Sequence, residues 1–172
     1  MRAIERGRAD LTTAMVATYH GPMTAFDASV FAQRRADAAQ LVRRGGLGGF
    51  IIGTGPELAY LTGSWTTSHE RLTALIIPPS GQARLLAPAT DSGSFERIDV
   101  PVTTWKDGDD PYRMAAQLVD DAPVGLGSSL TADHVFALQA VLDQTVLASE
   151  AVAELFMVCL LYTSDAADDL LC

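Results

Sequence analysis

Between Thr54 and Asp91 the chain reads TGPELAYLTGSWTTSHERLTALIIPPSGQARLLAPATD, and this order of residue types leaves few ways to fold. Pro56 suits the first turn of a short helix through Glu57, Leu58, Ala59 and Tyr60, where its missing N–H costs nothing, and Gly63 ends that turn. From Leu72 to Ile77 the residues LTALII form a nearly continuous apolar run bounded by Pro78-Pro79-Ser80-Gly81. With the second run ARLLAP this predicts a β-hairpin. Between helix and hairpin lies SWTTSHER. It puts Trp65, His69, Glu70 and Arg71 on a segment too polar for a core, and such loops on a rigid scaffold are where binding residues sit.

The flanking sequence predicts an α/β layer. Asp27 caps a helix from about Ala28 to Arg44, with Val30, Phe31, Ala38, Leu41 and Val42 on one face and Arg34, Arg35, Asp37 and Arg43 on the other. Gly45-Gly46 stops it, and GFII then reads as a short buried strand. After the hairpin come a helical turn in TDSGSFERI, an edge strand IDVPVTTW containing Pro101, and a helix from Asp110-Pro111 through Leu118 and Val119. VGLG is a brief strand. Thr131 caps a helix with Val135, Leu138, Val141 and Leu142 spaced for burial, and TVLAS is a last strand before a helix begun at Glu150.

Charge narrows the partners. The net charge is −9 and 48% of the 172 residues are hydrophobic, which suits one folded domain and disfavours nucleic acid or an anionic membrane as partner. No window of ~18 apolar residues is present, so no transmembrane helix is expected. Arg2, Arg6 and Arg8 precede LTTAMVATY, a run too short and too rich in threonine for a signal peptide, which reads as a cytoplasmic location. Residues 1–25 are read as a poorly ordered extension, since the patterned sequence begins at Phe26 and Met15 or Met23 suits a start.

Both cysteines, Cys159 and Cys172, fall in the C-terminal tail. CLLYTSDAAD is the translation of a string that resembles a transposase sequencing adapter, and the helical stretch EAVAELFMV passes into it without capping logic. The expectation is a native sequence ending near Val158 and a non-native tail over 159–172. Without the tail no cysteine remains, so redox and metal-thiolate chemistry drop out. Its three acids, Asp165, Asp168 and Asp169, leave with it.

Other motifs carry ordinary structural explanations. RRGGLGGFIIGTG is glycine-rich but precedes a strand and lacks the Gly-Lys-Ser/Thr ending of a phosphate loop, so a helix C-cap is the better account. Asp109-Asp110 and Asp120-Asp121 lie near prolines in turns and read as solvated acids. GLGSS, with Ser128-Ser129, is not a nucleophile elbow. His20, His69 and His134 have no second ligand at helical or hairpin spacing, so no metal site is expected.

The series Tyr60-Leu61-Thr62-Gly63, short loop, Arg71, apolar strand, Gly81, strand, Pro88 resembles the N-terminal domain of the creatinase, prolidase and Xaa-Pro aminopeptidase family. As an order of elements the resemblance covers roughly residues 26–158. Glu57 departs from it, standing where the family often has Asn, which leaves the role of that amide open. The resemblance implies a mixed β-sheet flanked by helices, similar to a ribonuclease H-like layer. It also implies that Arg71 helps hold substrate in a neighbouring subunit's active site, with His69, Trp65 and Tyr60 as accessory substrate-binding residues. An ion pair of Arg71 with a local acid, and packing of Trp65 and His69 at a subunit contact, are the competing readings.

In the resembling family a C-terminal pita-bread domain supplies two Asp, one His and two Glu that bind a pair of divalent metals, manganese, cobalt or zinc, and activate a bridging hydroxide. The implied partners of this chain are that catalytic domain and further copies in a homo-oligomer. The chain itself is then expected to hold no catalytic residue and no cofactor, as the non-catalytic domain of a proline-specific metallopeptidase, either aminopeptidase or dipeptidase. A creatine-type amidinohydrolase parent and a stand-alone interaction module are the alternatives.

Overall fold

The structure, a computed structural model, describes residues 27–68 and 70–148. Expectations for the 1–25 extension, His69, the helix from Glu150 and the 159–172 tail lie outside the described residues. Helix α1 spans Ala28–Arg44, and the Asp27 carboxylate accepts from the Ser29 N–H at 2.9 Å, satisfying a first-turn donor. It ends at Gly45, whose N–H reaches Leu41 O.

The buried stripe of α1 differs from the expected one. Arg35, Ala38, Ala39 and Val42 are buried, an i, i+3, i+4, i+7 series, so Arg35 lies on the inner face and Val30 and Phe31 are only half-buried. The guanidinium is tolerated there because it donates to Leu61 O at 3.0 Å and Asp99 O at 2.8 Å, with an Asp99 carboxylate oxygen at 3.6 Å. Burial pulls its pKa below the ordinary arginine value, against the opposing Asp99 charge.

Six strands form one sheet: β1 (Gly49–Gly53), β2 (Ala74–Ile77), β3 (Arg84–Pro88), β4 (Val102–Trp105), β5 (Val124–Leu126) and β6 (Thr145–Leu147), in the spatial order β4-β3-β2-β1-β5-β6. The pairs β1–β2 and β2–β3 are antiparallel, whereas β3–β4, β1–β5 and β5–β6 are parallel. Pairing of Gly53 with Ala74, Ala74 with Leu86 and Pro88 with Trp105 brings the ends of β1, β3 and β4 and the start of β2 to one edge. The ends of β5 and β6 join them there. This shared edge is where the site lies.

Alternation along the strands feeds two cores. Phe50, Ile52, Leu75, Ile77 and Leu85 pack with α1 and with α2 (Pro56–Thr62) on one face. Ile51, Ala74, Ile76, Leu86 and Val124 pack on the other with α3 (Pro111–Ala116) and α4 (Ala132–Gln139). Each fully buried Ile, Leu or Phe contributes roughly 1.5–3 kcal/mol. The result is the expected mixed sheet flanked by helices.

Three boundaries are corrected. Helix α3 stops at Ala116, short of Leu118 and Val119, because the chain turns so that the Asp120 N–H reaches Gly48 O and the Gly48 N–H reaches Pro123 O. Helix α4 stops at Gln139, and Leu142 reaches the core through a tight turn onto Leu138 O. Strand β4 begins after Pro101, which offers no N–H and instead accepts from Leu85. The helical turn after the hairpin is a 3-10 helix over Ala89–Phe95.

Candidate accessory binding surface

Helix α2 starts at Gly55-Pro56 and ends at Gly63, which takes a left-handed conformation with φ 75° and donates to Ala59 O. A Cβ at Gly63 would sit 2.7 Å from the Phe31 ring, so glycine is needed for shape as well as for φ. The loop that follows is pinned to the sheet edge. The Thr54 hydroxyl donates to Ser68 O at 3.1 Å and accepts from the Ser68 N–H at 3.2 Å, and the Ser68 hydroxyl donates to Arg71 O at 2.6 Å. Arg71 therefore leaves an ordered backbone.

Its side chain lies on a fixed platform. The Trp105 ring, at the end of β4, is buried and donates its indole N–H to Leu72 O at 2.9 Å. The Arg71 guanidinium sits 4.8 Å from that ring's centre, a cation–π arrangement, and its Nη2 contacts Asp107 Oδ1 at 2.5 Å. The ion pair of the competing reading exists, but its acid comes from beyond β4 and not from the Arg71 loop. With the Asp107 side chain 89% exposed, such a pair is worth only about 0.2–1 kcal/mol.

The other expected residues separate. Trp65 stands on the same loop and is 70% exposed. Tyr60 faces α1: the Arg34 guanidinium lies 4.1 Å from its ring centre and donates to its carbonyl at 2.9 Å. The structure thus puts Arg71 and Trp65 on one loop and engages Tyr60 with α1, while His69 lies outside the described residues.

Sequence reasoning missed a cluster where the chain leaves β1 toward α2 on one face and β5 toward α4 on the other. Such a divergence leaves a crevice beyond the strand ends. Glu57 fills it. Buried, its carboxylate accepts from the Ser128 hydroxyl at 2.9 Å, the Ser128 N–H at 3.4 Å and the Ser129 hydroxyl at 3.3 Å. An acid just inside a helix after one strand and paired hydroxyls after another were the signals, legible only once β1 and β5 are known to be neighbours.

A second polar contact links the first turns of α3 and α4. The Tyr112 hydroxyl lies 3.0 Å from His134 Nδ1, and the buried His134 Nε2 has no hydrogen-bond partner among the described residues. Burial pushes the His134 pKa down, against the raising effect of Asp133. Burial, then the Asp133 and Asp110 charges, push the Tyr112 hydroxyl up.

Among the described residues no three His, Cys, Asp or Glu side chains are grouped to hold a metal ion. A groove of about 460 Å³ lies at the opposite edge, lined by Asp120, Asp121, Asp143 and Gln144 among others, remote from Arg71. No helix among the described residues is long and apolar enough to cross a membrane.

The YLTG turn and the Arg71 loop are carried by a six-stranded mixed sheet with helices on both faces. The family model described as Creatinase/Prolidase N-terminal domain matches residues 34–158, and the chain belongs to that family. It is 36% identical over 141 residues to the probable dipeptidase PepE of Mycobacterium bovis and of Mycobacterium tuberculosis, covering 77% of this chain and 38% of the relative. The crystal structure of dipeptidase PepE from Mycobacterium ulcerans superposes with a TM-score of 0.71 at 35% identity, over 75% of this chain and 37% of that one. The N-terminal domain of an X-Pro dipeptidase from Streptococcus pyogenes, at 19% identity, shares the fold with a TM-score of 0.59, over 74% of this chain and 99% of that one. The chain spans about 38% of the length of the curated relatives it matches.

Proposed function

We propose that residues 26–158 form the non-catalytic N-terminal domain of a cytoplasmic Xaa-Pro dipeptidase, and that 159–172 is a non-native tail. A downstream domain holding two divalent metals, manganese, cobalt or zinc, supplies the hydrolysis. This domain holds copies of the enzyme together and lends Arg71, with Trp65, His69 and Tyr60 as accessory groups, to a substrate in a neighbouring copy. The relatives named as dipeptidases favour that class over an aminopeptidase.

The observation that carries the reading is the Arg71 guanidinium resting on the buried Trp105 at the sheet edge. A guanidinium whose plane is fixed presents its N–H donors in a fork that matches a carboxylate, and a dipeptide ends in one. In the protein made from the complete coding sequence, Arg71→Ala is expected to raise KM for an Xaa-Pro dipeptide about 10-fold or more, with kcat little changed, the signature of lost uniform binding. An unchanged KM overturns the substrate role. Reading the coding sequence past residue 158 tests the rest: two Asp, one His and two Glu at metal-ligating positions are expected, and a stop codon there contradicts it.

A further inference from the structure

We infer that Asp107 is a built-in stand-in for the ligand carboxylate: it occupies the Arg71 guanidinium in the free domain and is displaced when a substrate carboxylate arrives. The inference rests on the reading of Arg71 as a carboxylate clamp. It explains why a residue offered for binding is already paired.

Two features of the geometry separate the fixed part of this arrangement from the exchangeable part. Arg71 is held by its surroundings independently of Asp107. Its carbonyl accepts from Ser68, its guanidinium lies on Trp105, and Trp105 is itself tied to Leu72 O and buried. Removing Asp107 leaves that platform in place. Asp107, by contrast, touches Arg71 through one oxygen and is otherwise in water.

The turn carrying Asp107 is closed without its side chain. The Lys106 N–H donates to Asp109 Oδ2 at 2.7 Å, the Asp109 N–H returns to Lys106 O at 3.0 Å, and Gly108 takes φ 102°. The next cation along, Arg113, is engaged by Asp110 at 3.1 Å. Asp107 is thus free to swing into solvent without unmaking the turn, at the small cost of an exposed ion pair. A dipeptide carboxylate with both oxygens on the fork replaces one contact with two. The stand-in keeps the guanidinium paired against Trp105 until then, and it makes every carboxylate ligand compete with a tethered one.

The test uses the 172-residue chain and two probes at constant ionic strength, glycylproline and its carboxylate-free amide. Binding is read from the indole N–H resonance of Trp105 by two-dimensional NMR, against an internal chemical-shift standard. Glycylproline is expected to shift the Trp105 resonance saturably and the amide not to. Asp107→Asn is expected to lower the apparent Kd about 1.4- to fivefold, the span of an exposed ion pair. Asp109→Asn, a charge change on the same turn, is expected to leave it within measurement error.

The outcomes separate the two ideas. If Arg71→Ala binds glycylproline as the parent chain does, the clamp reading itself fails. If Arg71→Ala abolishes binding but Asp107→Asn does not tighten it, or Asp109→Asn tightens it equally, the clamp stands and the stand-in is overturned. A Trp105 resonance unmoved by glycylproline in both the parent chain and Asp107→Asn also overturns it.

Discussion

The Glu57 carboxylate, in the first turn of α2, accepts a 2.9 Å hydrogen bond from the Ser128 hydroxyl that follows β5, 71 positions along the chain. It joins the exits of two neighbouring parallel strands at the point where their helices part to opposite faces. Glu57→Leu strips Ser128 and Ser129 of their acceptor in a buried place and is expected to cost about 1–3 kcal/mol. Glu57→Gln keeps an acceptor oxygen and is expected to cost less. Urea unfolding reads both as midpoint shifts at constant slope. An unmoved midpoint in Glu57→Leu would show that water replaces the carboxylate freely.

Arg35 bridges α1 to the end of α2 and to Asp99 through two separate carbonyls. Arg35→Met fills similar volume but leaves both carbonyls unpaired, and a loss of about 1–3 kcal/mol is expected. Arg35→Lys is not expected to rescue it, since one ammonium does not reproduce a planar fork with two separated donors. Chemical denaturation of the two variants side by side checks this, and full stability in Arg35→Lys would refute the bridging role.

Gly63→Ala is expected to destabilise for two reasons that a double-variant cycle separates. Left-handed φ costs a non-glycine residue about 1–2 kcal/mol, and the new methyl would also meet Phe31 at 2.7 Å. In a Phe31→Ala background the clash disappears and only the φ cost remains. Equal costs of Gly63→Ala in both backgrounds would show that the Phe31 contact is relieved by a small shift.

His134 makes stability depend on pH with a definite sign. Its folded pKa lies below the ordinary value of about 6.5, so between those two values the unfolded chain binds more protons than the folded one. The stabilisation is therefore fully present above about pH 6.5 and is lost as pH falls through the lowered folded value. His134→Gln, which keeps an acceptor for Tyr112, is expected to flatten that part of the profile. Thermal midpoints of both chains from pH 8 to pH 5 provide the comparison, and parallel profiles would contradict it.

What the sequence displayed and what it hid follow from how local the signals are. Asp27, Pro56, Gly63, Thr131 and the Pro-Pro-Ser-Gly turn each act on neighbours within a few residues, so the helix starts and the β2–β3 hairpin were legible before the fold. Arg35 was misplaced because a charge reads as surface unless the carbonyls that receive it are known, and those lie 26 and 64 positions away. The Arg71 loop was legible as a binding candidate, but its platform Trp105 and partner Asp107 come from a strand and the turn after it that only the β3–β4 pairing brings near. Glu57 stood out as a departure from the family pattern, and its acceptance of Ser128 and Ser129 follows from the β1–β5 pairing.

That this domain does not itself hydrolyse is tested most directly by incubating the 172-residue chain with manganese and an Xaa-Pro dipeptide and following free proline. Proline release no faster than in buffer with manganese alone is expected. Release that rises in proportion to the concentration of the chain, and is abolished by a chelator, would contradict it.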